Sequence, residues 1–131
     1  MCNTHLTRRD YEFYDYIDAW VLGNFIQAPS FQNDMMRLLV LHFDVWSNEW
    51  DLGCIRWDTV PRNSTLRPFL LDVICCILLS QSEKKMKLTL DGLPQGMFRC
   101  FLRRIADGGG PANRTRLEFN RYRVQEEGEA Q

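Results

Sequence analysis

WVLGNFIQAPSFQNDMM, running from Trp20 to Met36, reads as the corner of a helical hairpin. Upstream of it Phe13, Ile17, Val21 and Phe25 recur every fourth residue, which marks one stripe of a helix and not the alternation of a strand. Asp10 is suited to cap the start of that helix. Pro29 lacks the amide hydrogen that a helix interior needs, so it stops the first helix and opens a second, with Ala28 or Ser30 as the cap. Phe31, Met35, Leu38, Leu39 and Phe43 then form the second stripe. So short a link leaves the two helices antiparallel. Ala19 and Gly23 stand on the far side of the first helix. A glycine there costs about 1 kcal/mol against alanine unless another backbone comes close, so this face reads equally as a seat for a partner helix or as solvated surface.

Beyond the hairpin, Asp44 to Asp51 holds Trp46 and Trp50 among polar residues and reads as a connection, followed by a short helix from about Leu52 to Thr59. Pro61 to Asn63 makes a turn and Ser64 is placed to cap the next helix. From Leu66 to Leu79 the chain is apolar on nearly every side, so the helix near 65–79 is expected at the centre of a bundle. Asp72 interrupts it and requires a partner, for which Arg67 and Arg56 are nearest in sequence. Ser80 to Lys87 reads as a basic connection and Leu88 to Gly92 as a brief extended segment. Pro94 opens a last helix with Met97, Phe98, Phe101, Leu102 and Ile105 on one side and Arg99, Arg103 and Arg104 on the other. Three glycines and Pro111 end it. The pattern as a whole predicts an all-α fold, a compact bundle of four to five helices spanning 1–107, with 108–131 as a disordered, charged tail in which Leu117, Phe119 and Tyr122 dock at most transiently.

A chain of 131 residues suits one domain. Its net charge of -1 conceals a segregation. Residues 1–83 carry 6 basic and 11 acidic side chains, residues 84–123 carry 10 and 3, and the last eight add three glutamates. Cys2, Cys54, Cys75, Cys76 and Cys100 form no C-x-x-C pair and are odd in number, which suggests reduced thiols and an intracellular chain, cytoplasmic or nuclear. The longest apolar run, Phe69 to Leu79, is about half a bilayer span and contains Asp72, so no membrane helix is expected. His42 falls within an apolar stripe and reads as a core residue, and the adjacent Cys75 and Cys76 read as packing and not as a redox pair. No nucleophile-base pair, metal-ligand spacing or phosphate loop is recognisable, so neither an enzyme nor a bound cofactor is expected.

The elements Asp18-Ala19-Trp20, Ala28-Pro29, Phe31-Gln32-Asn33 with Met36, and Thr59 with Ser64, Leu66, Arg67 and Asp72 keep an order and spacing that resembles the helical C-terminal half of BTB/POZ proteins of the kind abundant in filamentous fungi. The likeness runs from about Tyr14 to Ile105, and the family's mixed α/β core has no counterpart ahead of it. A truncated product, a degenerate paralogue or a fragment of a longer BTB protein would all fit. The resemblance implies a non-enzymatic protein-interaction module that self-associates or binds another protein. Contact with a cullin-type ligase follows by family analogy alone and lacks the core on which it would rest. Trp20, Phe31 and Trp46 are the candidate contact anchors, and Phe13, Ile17, Trp20 and Phe31 are the residues a missing core would uncover. The alternative is nucleic-acid binding through the basic region 84–123, by Arg99, Arg103, Arg104, Arg114, Arg116, Arg121 and Arg123, with Phe119 and Tyr122 to stack on bases.

Overall fold

The computed structural model describes residues 8–44, 52–108 and 117–126. Among these the chain is all helical, with no strand. Five α-helices follow in order: α1 (Arg8–Phe25), α2 (Pro29–Asp44), α3 (Leu66–Leu79), α4 (Glu83–Asp91) and α5 (Gln95–Ala106). Single 3-10 turns stand at Leu52–Cys54, Trp57–Thr59 and Phe119–Arg121. The short helix expected over 52–59 is thus two separate turns, divided by Ile55 and Arg56.

The α1–α2 hairpin closes as its corner sequence requires. Gln27 takes a left-handed φ of 57°, which reverses the chain, and Ala28 donates its amide to the Gly23 carbonyl at 2.8 Å. Pro29 opens α2. The helices run antiparallel, with Phe13 facing His42 at one end, ring centroids 5.9 Å apart, and Gly23 facing Phe31 at the other. A Cβ on Gly23 would come within 2.9 Å of both Gln32 Cγ and Phe31 Cδ2. The close neighbour that makes glycine worthwhile is therefore the first turn of α2 itself, which closes Gly23 to a foreign helix, while Ala19 stays half-buried.

At the centre of the bundle lies α3, with ten of its fourteen residues buried. Phe69, Leu70, Val73 and Ile74 have no exposed surface and pack among Phe13, Trp20, Leu39 and Met97 in one continuous core. Ser64 does not cap α3 by its side chain; its hydroxyl donates instead to the Pro61 carbonyl at 2.7 Å, and Thr65 occupies the cap position. The region expected to hold a basic connection and an extended segment is α4. Ser82 accepts a hydrogen bond from the Lys85 amide at 3.4 Å, Glu83 stands in the first turn, and the lysines, methionine and leucine that follow are good helix formers. None of its residues is fully buried, which explains the weak apolar pattern.

The expected end of the ordered chain at 107 is corrected by residues 117–126. Leu117 and Tyr122 are 2% and 1% exposed, and the Tyr122 ring meets Phe69 edge-on at 5.2 Å. Asn33, fully buried in α2, grips the same segment from both sides: its Nδ2 donates to the Val124 carbonyl at 2.8 Å and its Oδ1 accepts from the Val124 amide at 2.7 Å. Two well-placed apolar side chains and one clamp suffice where composition alone suggested disorder.

Candidate functional site

The core carboxylate has a different partner from either one expected. Asp72 is fully buried, yet Arg67 and Arg56 do not reach it. Arg104 of α5 forks onto it, Nε donating to Oδ1 at 2.7 Å and Nη2 to Oδ2 at 3.1 Å, and the Tyr122 hydroxyl donates to Oδ2 at 2.6 Å. Three separate segments thus meet on one carboxylate, which satisfies a charge that would otherwise oppose folding. Burial, followed by the hydrogen bond to Asp72, pushes the Tyr122 phenol well above its usual value. The group ties the fold together and leaves no acid or base directed at solvent.

Arg67 serves a neighbouring role. Its guanidinium stacks 4.4 Å from the Trp57 ring centroid, donates to the Val60 carbonyl at 3.4 Å and reaches Cys100 Sγ at 3.4 Å. Burial first, then the neighbouring Cys75 and Asp72, raises the Cys76 thiol to about 12, so it stays protonated and inert as a packed core thiol does. Cys54 is disulfide-bonded, while Cys75, Cys76 and Cys100 are free. The expectation of reduced thiols therefore fails at Cys54 and holds at Cys75, Cys76 and Cys100. His42 is buried against the rings of Phe13 and Tyr16, in keeping with its reading as core.

The candidate contact residues separate. Trp20 has no exposed surface and belongs to the core; as a contact anchor it is a correction, since a partner could reach it only by opening the bundle. Phe31 is 37% exposed at the hairpin corner. Trp46 lies outside the described residues. The residues expected to be uncovered are likewise mostly covered: Phe13, Ile17 and Trp20 are buried within the one core cluster that also holds α3, Leu117 and Tyr122. The exposed apolar surface lies instead at the turn. Phe25, expected in the buried stripe, is 84% exposed, and Ile26 and Leu22 are 59% and 55% exposed. With Phe31 they surround the α1–α2 corner. The fourfold periodicity concealed this because it runs past the point where α1 leaves the bundle.

The candidate nucleic-acid contacts are also divided. Arg99, Arg103 and Arg121 are exposed, Arg104 is committed to Asp72, Arg123 pairs with Glu126 at 3.7 Å, and Arg114 and Arg116 lie outside the described residues. Tyr122 is buried and Phe119 is covered by Arg37, 4.5 Å from its ring centroid, so neither presents a face for a base to stack on.

Two concavities flank α5. One, of about 560 Å³, lies between α4 and α5, where Met86, Leu90, Leu93 and Phe98 contribute most of its wall. The other, of about 370 Å³, lies between α3 and α5 and is rich in arginine. No described helix is long and apolar enough to cross a membrane. No family model matches the chain, and neither the curated proteins nor the solved structures contain a significant match to it.

Proposed function

We propose that this chain is a non-enzymatic protein-interaction module, related in its helical hairpin to the C-terminal half of BTB/POZ proteins, and that it associates through the α1–α2 corner. The observation that carries the reading is the grouping of Leu22, Phe25, Ile26 and Phe31, all exposed, at the corner of a hairpin that elsewhere buries Phe13, Ile17, Trp20, Met36 and Leu39. Scattered apolar residues are ordinary on a protein surface, but four large ones around a single turn are the mark of a contact site. The corner is held in shape by Gly23, Gln27 and Pro29, so the patch is presented on a rigid support and loses little freedom on binding. Nucleic-acid binding is the weaker reading, because the two aromatic residues it needs are occupied in packing.

Sedimentation across a dilution series tests this reading. The wild-type chain is expected to associate with itself or with a captured protein partner, and Phe25→Ser with Ile26→Ser should abolish that association while leaving the melting temperature nearly unchanged. A wild-type chain that stays monomeric and binds no protein, or a double variant that associates as before, would overturn the assignment. Association that collapses as salt rises and requires an oligonucleotide would favour the nucleic-acid reading.

A further inference from the structure

The cavity between α3 and α5 brings four guanidinium groups together: Arg62 and Arg67 from the start of α3 and the turn before it, and Arg103 and Arg104 from the last turn of α5. Their charges are met unequally. Asp72 neutralises Arg104. Arg67 is held by a carbonyl, a sulfur and a tryptophan ring, none of which carries negative charge. Arg62 and Arg103 are exposed and form no ion pair among the described residues. Asp107 also lines the cavity, so two positive charges remain in excess.

That excess matches a phosphate monoester, which carries about -1.5 to -2 at neutral pH and offers three strong acceptor oxygens. A single carboxylate would occupy one arginine fork and leave the others uncompensated. The cavity volume of about 370 Å³ accommodates one phosphorylated side chain. No aromatic side chain lines it, and the nearby Trp57 face is covered by Arg67, so a nucleobase would find no stacking platform. Pro68 and Leu71 supply a short apolar wall for the carbon atoms of the phosphorylated residue.

We propose that this cavity binds the phosphate of a phosphorylated serine or threonine presented by a partner protein. The choice of a protein as carrier rests on the interaction reading above; the anion site itself rests on the arginine cluster. Arg67 is the pre-positioned member, Arg62 and Arg103 close on the ligand from the exposed side, and Asp107 opposes it.

Nitrogen–proton NMR correlation of the arginine side chains, during titration with the blocked tripeptide Gly-phosphoserine-Gly, tests the proposal. The Arg67 and Arg103 signals should move saturably, inorganic phosphate should compete, and the unphosphorylated peptide should have no effect. Arg62→Gln with Arg103→Gln should weaken binding by at least about tenfold with an unchanged melt, since both side chains are exposed. Asp107→Asn should tighten binding several-fold. Absence of a phosphopeptide response, equal binding by the double variant, or displacement of the peptide by oligothymidylate at lower concentration would each overturn the proposal. Sedimentation of the same samples reads association through Phe25 and Ile26 independently, so failure of the anion site is distinguishable from failure of the corner.

Discussion

Asp72 shows at the level of one residue how burial directs chemistry. Its charge is stabilised by Arg104 and Tyr122, which lie 32 and 50 positions away along the chain, and so it joins the central helix to the last helix and to the C-terminal segment. Tyr122→Phe removes one hydrogen bond to a carboxylate while leaving the arginine fork, and should cost about 1.5–3 kcal/mol, read as a lower midpoint in urea with an unchanged slope. The same residue makes a pH prediction. A group whose pKa is raised in the folded state contributes stability in full below its unfolded value and loses that contribution as pH rises toward the folded value. Cys76 starts from 9.0 and rises to about 12, and the Tyr122 phenol starts from 10.0 and lies higher when folded. Stability should therefore fall from about pH 9 through Cys76 and more steeply above about pH 10 as Tyr122 joins it. Cys76→Ala and Tyr122→Phe should each flatten their own part of that alkaline profile, and an unaltered profile in both variants would contradict the assignment.

At the scale of the element, α3 is legible because its composition leaves no polar face. Val73 is fully buried, so Val73→Asp places an unpaired charge in the core at a cost of several kcal/mol, comparable to the stability of a small domain. Circular dichroism should show loss of the cooperative melt. The hairpin was equally legible, since a proline between two stripes admits few alternatives. Helix α4 was obscured by its polarity, although Ser82 followed by Glu83 is an ordinary helix start. The segment 117–126 carried no comparable local signal. Two apolar residues docked by long-range contacts cannot be distinguished from a flexible tail by periodicity. Truncation after Gly108 removes Leu117, Tyr122 and the Asn33 clamp together, and burial of two large side chains is worth about 1.5–3 kcal/mol each. The truncated chain should melt lower by roughly 10 °C or more. A melting temperature within a degree or two of the full chain would show that the segment contributes little to the fold.

For the molecule as a whole, the C-terminal segment is docked against α2 through the Asn33 clamp and against α3 through Tyr122. With Phe13, Ile17 and Trp20 buried, the exposed large apolar side chains among the described residues are the four at the corner, Leu102 with Ile105 on α5, and Leu41, Leu79 and Leu88. A hydrophobic dye should accordingly respond weakly to the wild-type chain and more weakly still to Phe25→Ser with Ile26→Ser, whereas the chain truncated after Gly108 should bind it strongly, because removal of Tyr122 uncovers Phe69. Equal dye binding by all three would show that the exposed patch lies elsewhere. Charge segregation also acquires a location at this scale. Of the basic residues gathered toward the C-terminus, Arg104 turns inward to Asp72 while Arg103 is exposed, so a run that reads as a single basic stripe is divided between core and surface.

The all-helical class, the hairpin corner and the central position of residues 66–79 were determined by the sequence itself, because each depends on neighbours three or four residues apart, whose spacing the helix dictates. Which arginine meets Asp72, whether Leu117 and Tyr122 are buried, and where the apolar surface is left exposed were decided only by tertiary structure. Those outcomes depend on groups brought together from distances of 32 to 91 residues, and local periodicity carries no record of contacts made across such separations.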